Sequence, residues 1–299
     1  MKSSGAGKPS EFMYRDFYGL TEKPFTITPN PGFIFLSRSH REAFAHLLYG
    51  VDSHAGFIAM TGEVGTGKTT LLRTLLTQLD SDKYRSALIF NTCLSSDQLL
   101  ASICREFDIE PAEPNRFGYL EALNSFLLEQ HLAGSTVVLV IDEAQNMAPD
   151  VLEQVRMLSN METEQDKLIQ IILAGQPELN DVLARHDLRQ LSQRITVRCS
   201  LVPMGLQDTG DYINHRLKVS GCRIPGLFSR GAVKRIYRFS QGIPRLINVA
   251  CEQSLVMAWT QESIPVTPAM VAKVLADVRP FARRFGVIRQ FFAWLTAGK

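Results

Sequence analysis

Apolar residues at Phe44, Leu47, Leu48 and Val51 recur at i, i+3, i+4 and i+7, which predicts a helix over His40–Asp52 with one buried face. Short apolar runs without polar alternation follow at Phe57–Thr61, Ser86–Asn91, Thr136–Ile141, Leu168–Ala174 and Ile195–Leu201. Runs of this kind suit strands covered on both faces. Helical stretches separate them: Lys68–Leu79, Ser96–Phe107, Tyr119–Ala133, Val151–Met161 and a short one from Pro177. That alternation predicts an α/β domain with about five parallel strands joined by crossover helices. From Leu206 onward strand-like runs stop, and helices are expected near Gln207–Ser220, Ser229–Gln241, Pro244–Trp259 and Pro268–Ala276. A two-lobed chain follows, with an α/β domain over residues 13–203 and an all-helical lobe over 204–279.

The ends of the chain read differently. Tyr14–Ser39 is rich in Pro, Phe and Gly, and Pro24, Pro29 and Pro31 exclude a long helix, so an ordered loop is expected. Met1–Phe12 is small and polar and precedes a second methionine, Met13; it reads as a tag or flexible leader. Residues 280–299 combine Arg283, Arg284 and Arg289 with Phe285, Phe291, Phe292 and Trp294. Such a basic-aromatic tail suits a membrane surface, or the approach to a membrane span in a longer parent chain.

Composition narrows the class without naming a function. An apolar fraction of 45 % with 21 % charged residues excludes a disordered or fibrous chain. A net charge of +2 gives no global field of the kind that announces a nucleic-acid binder. A local patch remains, because Lys234, Arg235 and Arg238 fall on one predicted helix, as a solvated face or a nucleic-acid contact. Five scattered cysteines, Cys93, Cys104, Cys199, Cys222 and Cys251, fit neither a disulfide framework nor a CxxC metal site. They are expected to be small buried side chains in a reducing cytoplasm. No apolar run reaches the roughly 18 residues that cross a bilayer.

The chemistry is concentrated in two motifs. Gly62-Glu63-Val64-Gly65-Thr66-Gly67-Lys68-Thr69 has P-loop spacing and lies between a strand-like run and a helix, the context that pattern requires. The glycines let backbone N–H groups and the helix start face phosphates, and Lys68 brings positive charge to the β- and γ-oxygens of ATP. Thr69 is the candidate hydroxyl ligand of Mg2+, and Thr70 follows it on the phosphate-facing turn. The second motif is the apolar run Val137–Ile141 ending in Asp142-Glu143-Ala144-Gln145. There Asp142 is expected to hold magnesium, and Glu143 to orient or deprotonate the water that attacks the γ-phosphate.

Beyond these motifs the sequence resembles the AAA+ superfamily, and within it the ExeA/GspA-type ATPases of general secretion and of related pilus and polysaccharide systems. The resemblance covers about Met13 to Val278. It is carried by Met13–Leu20 (MYRDFYGL), Lys23-Pro24-Phe25, Ser39–Ala43 (SHREA) with Leu47–Gly50 (LLYG), Asp142–Asn146 (DEAQN), Gly175–Leu179 (GQPEL), Leu188–Ile195 (LRQLSQRI) and Gly242–Asn248 (GIPRLIN). It implies further roles. Gln176, after the strand between the two nucleotide motifs, matches the residue that senses the γ-phosphate. Asn91 matches the polar partner that restrains the catalytic glutamate. Arg194, with Arg189 as the second choice, matches the arginine that reaches a neighbouring subunit's nucleotide. Arg245 matches the lid arginine that touches the γ-phosphate from its own subunit, and Phe25, Thr28 and Phe35 fall where relatives build the adenine pocket.

The resemblance implies a homo-oligomer in the ATP state, with envelope secretion or pilus assembly proteins as partners and an inner-membrane periphery as its place. Two other readings stay open. One is a DNA-bound ATPase of the kind that regulates transposition. The other is a slow, nucleotide-controlled binding module.

Overall fold

In the computed structural model the described residues are 13–27, 31–90, 92–163 and 166–284. The five apolar runs form one parallel sheet: β1 Phe57–Gly62, β2 Tyr84–Ile89, β3 Thr136–Ile141, β4 Ile169–Gly175 and β5 Ile195–Leu201. Their order in the sheet is β2-β3-β4-β1-β5, so β4 separates β1 from β3. Register follows the apolar pattern, with Leu139 opposite Ile171 and Ile171 opposite Phe57. Every residue of β1 and β4 is buried, as strands covered on both faces require.

The chain divides into two compact units. The α/β unit comprises Arg38–Glu63 and Gly67–Val202. Its helices are α2 Arg38–Asp52, α3 Lys68–Gln78, α4 Ser96–Glu106, α5 Arg116–Leu132, α6 Pro149–Leu158, α7 Glu178–Leu183 and α8 Arg189–Arg194. Leu99, Leu100 and Ile103 of α4, Leu123 and Leu127 of α5, and Val151, Leu152 and Val155 of α6 close over Val137, Leu139 and Ile141 of the sheet. Each such buried aliphatic side chain contributes about 1.5–3 kcal/mol relative to exposure.

The second unit comprises the described parts of Met1–Ser37 and Pro203–Lys299, with Val64–Thr66. It is helical: α1 Met13–Tyr18, α9 Leu206–Val219, α10 Arg230–Ser240, α11 Pro244–Thr260 and α12 Pro268–Arg284. The all-helical reading of the C-terminal part is correct, but two details differ. Tyr14–Ser39 is not wholly loop, because its first residues form α1. Tyr14, Tyr18, Leu20 and Phe25 are buried with Tyr212, Ile213, Phe228 and Ile247, so this segment joins the core of the helical unit rather than that of the α/β unit. The last helix continues through Pro280 to Arg284, eight residues beyond its expected end.

Among the described residues no cysteine is in a disulfide; Cys104 and Cys251 are buried, Cys199 and Cys222 are half-buried, and Cys93 is exposed, against the expectation that all five are core residues. Among the described residues no helix is long and apolar enough to cross a membrane. The leader 1–12, most of the basic-aromatic tail (285–299), Asn91 and Thr28 lie outside the described residues.

Candidate nucleotide site

Strands β1, β4 and β3 are neighbours, and each leads at its carboxyl end into residues singled out above: the P-loop, Gly175-Gln176, and Asp142-Glu143. Ligands of open α/β sheets bind in the crevice beyond the carboxyl ends of the strands. In the P-loop, Gly65 and Gly67 have φ of 80 and 103°, a region that L side chains rarely enter. Gly67 is the N-cap of α3 and no side chain caps that helix. Its first-turn N–H groups are the donors that a helix leaves without intrahelical partners and that suit an anion.

Lys68 is only 5 % exposed. Its ammonium donates to Gly62 O (2.7 Å) and Glu63 O (3.2 Å), so the loop closes around the cation. Burial pushes its pKa down, and the carboxylates of Glu143, Asp142, Glu63 and Glu178 oppose that shift. Four acids therefore face one buried cation. Thr69 and Thr70 follow, both half-buried on the first turn of α3.

Asp142 is 1 % exposed and uses both oxygens. Oδ2 accepts from the Thr69 hydroxyl at 2.5 Å, and Oδ1 accepts from the backbone N–H of Glu143 at 2.9 Å. A hydroxyl and a carboxylate in contact form an all-oxygen donor set, which fits a hard cation such as magnesium.

Glu143 stands in the left-handed region, with φ 55 and ψ 35°. For a residue with a side chain this costs of order 1–3 kcal/mol, and such strain concentrates at functional positions. Its carbonyl accepts from Thr92 Oγ1 (3.1 Å). Its carboxylate Oε2 accepts from Gln145 Nε2 (2.7 Å) and Gln176 Nε2 (3.2 Å), while the backbone N–H of Gln176 donates to Gln145 Oε1 (3.0 Å). Lys68, Thr69, Asp142, Glu143 and Gln176 thus form one cluster. Gln145 and Thr92 belong to it too, and the sequence reading assigns a role to neither. Gln145 stands inside the second motif, two residues after the glutamate, and that position is the available signal.

The remaining candidates make contacts of their own. Arg189 is exposed at the start of α8. Arg194, at its end, is half-buried and donates from Nη1 to the hydroxyl of Ser159 (2.7 Å), itself buried at the end of α6. Arg245 is exposed near the start of α11, and its backbone N–H donates to Gly65 O (3.3 Å). Phe25 is buried edge-on against Phe228, and Phe35 packs against Tyr212 and His215. Lys234, Arg235 and Arg238 are exposed on α10 together with Arg230.

A family model described as an AAA domain matches residues 51–183, which hold both nucleotide motifs. General secretion pathway protein A of Aeromonas hydrophila is 45 % identical to this chain over 252 residues, covering 84 % of this chain and 46 % of that protein. Residues 51–183 carry an AAA domain, and the chain as a whole is similar to general secretion pathway protein A. It spans just under half the length of that relative. Among solved structures, the Cdc6p protein of Pyrobaculum aerophilum is similar to 83 % of this chain, covering 70 % of its own, with TM-score 0.66 and 21 % identity. The Aeropyrum pernix ORC2 protein in its ADPNP–ADP complexes is similar over 85 % of this chain and 71 % of its own, with TM-score 0.65 and 17 % identity. The Thermotoga maritima RuvB Holliday junction branch migration motor covers 82 % of this chain and 70 % of its own, with TM-score 0.55 and 16 % identity. At these identities the likeness is one of fold: a P-loop AAA core around a five-stranded parallel sheet, with a helical C-terminal part.

Proposed function

We propose that the chain hydrolyses ATP to ADP and phosphate with magnesium, and that this turnover drives assembly or remodelling of an envelope secretion or pilus-like machine. The observation that carries the reading is the cluster at the ends of β1, β3 and β4, where a buried lysine, a threonine–aspartate pair and a strained, amide-held glutamate converge. Lys68 and the N–H groups of α3 bind the phosphates. Thr69 and Asp142 would hold magnesium, which when bound offsets charge on the phosphate oxygens. Glu143 orients the attacking water and takes its proton. Gln176 reports the γ-phosphate, Arg245 keeps the γ-phosphate role that the resemblance implies, and Arg194, seconded by Arg189, serves a neighbouring subunit in a homo-oligomer. Phe25, Thr28, Phe35 and Asn91 keep the adenine-pocket and glutamate-restraining roles that the resemblance implies. The secretion context rests on the name of the 45 %-identical relative.

The test is ATPase rate against protein concentration, alone, with anionic lipid vesicles and with duplex DNA, alongside size determination in ATP. The reading expects a rate that rises with concentration and with lipid but not with DNA. The four exposed cations of α10 favour the DNA-bound alternative, and stimulation by DNA with filament growth would put that reading in its place.

A further inference from the structure

Beyond the ends of the paired strands, the Gln145 side chain joins the loop after β3 to the loop after β4. Ladder pairing between β3 and β4 runs to Ile141 opposite Leu173. Past that point Gln145 spans the gap with both ends of its amide. Oε1 accepts from the backbone N–H of Gln176 at 3.0 Å, and Nε2 donates to Glu143 Oε2 at 2.7 Å. The partners fix this orientation. A backbone N–H can only donate, so the amide oxygen must face it, and the amide nitrogen is then turned to the carboxylate.

The surroundings are shaped to this arrangement. A Cβ on Gly175 would lie 2.6 Å from Gln145 Oε1, so any side chain before Gln176 would displace the Gln145 amide from this position. Glu143 is held from its backbone as well, through Thr92 on its carbonyl and Asp142 on its N–H. Its carboxylate therefore has two amide donors of different standing. The bond from Gln145 is the shorter, and its amide is anchored at the other end. The bond from Gln176 is longer, 3.2 Å, and among the described residues its side-chain amide has no second anchor.

We infer that Gln145 is the positioning residue for Glu143: it holds the carboxylate in place when the Gln176 amide turns from Glu143 to the terminal phosphate. The inference rests on the reading of Glu143 as the group that activates water. It gives the two glutamines different tasks. Gln176 exchanges partners as nucleotide arrives, and Gln145 keeps one geometry throughout. A carboxylate fixed before the reaction avoids the loss in rate that comes from a misplaced base.

The experiment compares the full chain with Gln145→Glu and Gln145→Ala. Gln145→Glu keeps the shape of the side chain and the acceptor for the Gln176 N–H, but it turns a carboxylate toward Glu143 in place of a donor. Gln145→Ala removes both contacts. Both variants are expected to lose about 10- to 100-fold in kcat, the weight of a hydrogen bond to an ionised group, while KM for ATP stays within about twofold. A Gln145→Glu variant with wild-type kcat would make Gln145 a tie between two loops and overturn the inference, as would a change confined to KM. A second measurement stands apart from turnover. In the 1H–15N spectrum of the nucleotide-free chain, the side-chain amide of Gln145, assigned by its loss in Gln145→Glu, is expected to shift in Glu143→Gln. If the wild-type chain does not hydrolyse ATP, the ATPase reading falls on its own, and an unmoved Gln145 amide separately refutes the contact.

Discussion

Lys68 and Tyr18 show how one buried polar atom can be held in each unit. The Lys68 ammonium lies under two carbonyls, and four acids counter the burial that pushes its pKa down. The Tyr18 hydroxyl donates to Leu255 O at 3.0 Å, and burial, with a contribution from Cys222, pushes its pKa up to about 12. The sign follows from linkage. The unfolded chain loses this proton near the ordinary value of 10, so the contribution of Tyr18 to stability is full below that pH and declines as pH rises toward 12. Tyr18→Phe should cost about 1 kcal/mol at neutral pH and should flatten part of the alkaline loss. Urea unfolding at about pH 9 and about pH 11 measures both effects; an equal alkaline loss in the variant would contradict the assignment. Among these residues, motif spacing made legible the convergence of Lys68, Thr69, Asp142 and Glu143 at the strand ends. Gln145 and Thr92 act through contacts between loops distant in sequence, for which periodicity gives no signal.

Elements were legible where burial is two-sided. The apolar runs of β3 and β4 locate those strands to within a residue, because a strand covered on both faces offers few polar positions to blur it; β5, an edge strand with Thr196, Arg198 and Ser200 exposed, is marked by Ile195, Val197, Cys199 and Leu201 on its other face. The second strand begins at Tyr84, two residues before its apolar run, because Arg85 and Ser86 on this edge strand are exposed. Helix α1 was not legible, since six residues are too few for a helical period and a Pro-rich stretch follows. Its stability comes from packing in the helical unit. Between α10 and α11 that unit turns at Gly242, with φ 79° and an added Cβ only 1.8 Å from Met204 O. Gly242→Ala should therefore destabilise the helical unit by more than about 2 kcal/mol, combining left-handed strain with a backbone clash. Thermal unfolding followed by circular dichroism reads this, and a midpoint within a degree or two of wild type would refute it.

At the scale of the whole molecule, the proposal makes catalysis a property of an assembly. Arg194 binds Ser159 within its own chain. The proposed role requires it to stabilise charge on phosphate in a neighbouring subunit, an effect typically worth about 10³–10⁵ in rate. Arg194→Ala should leave nucleotide affinity of the dilute chain unchanged and lower kcat steeply, and mixing it with Glu143→Gln subunits should restore part of the rate. Lost affinity without any mixing effect would make Arg194 a structural residue of the α/β unit. The helical character of the C-terminal part was legible in the change from alternating strands and helices to helices alone after residue 206. The placement of residues 13–37 with the helices was not, because it depends on which aromatic side chains meet across some 200 positions of sequence.

Water activation by Glu143 during ATP hydrolysis is tested in Glu143→Gln by measuring nucleotide affinity and turnover on the same sample. ATP affinity is expected to stay within a few-fold of wild type and turnover to fall by at least about 10²-fold, the weight of a general base. Turnover at the wild-type rate would contradict it.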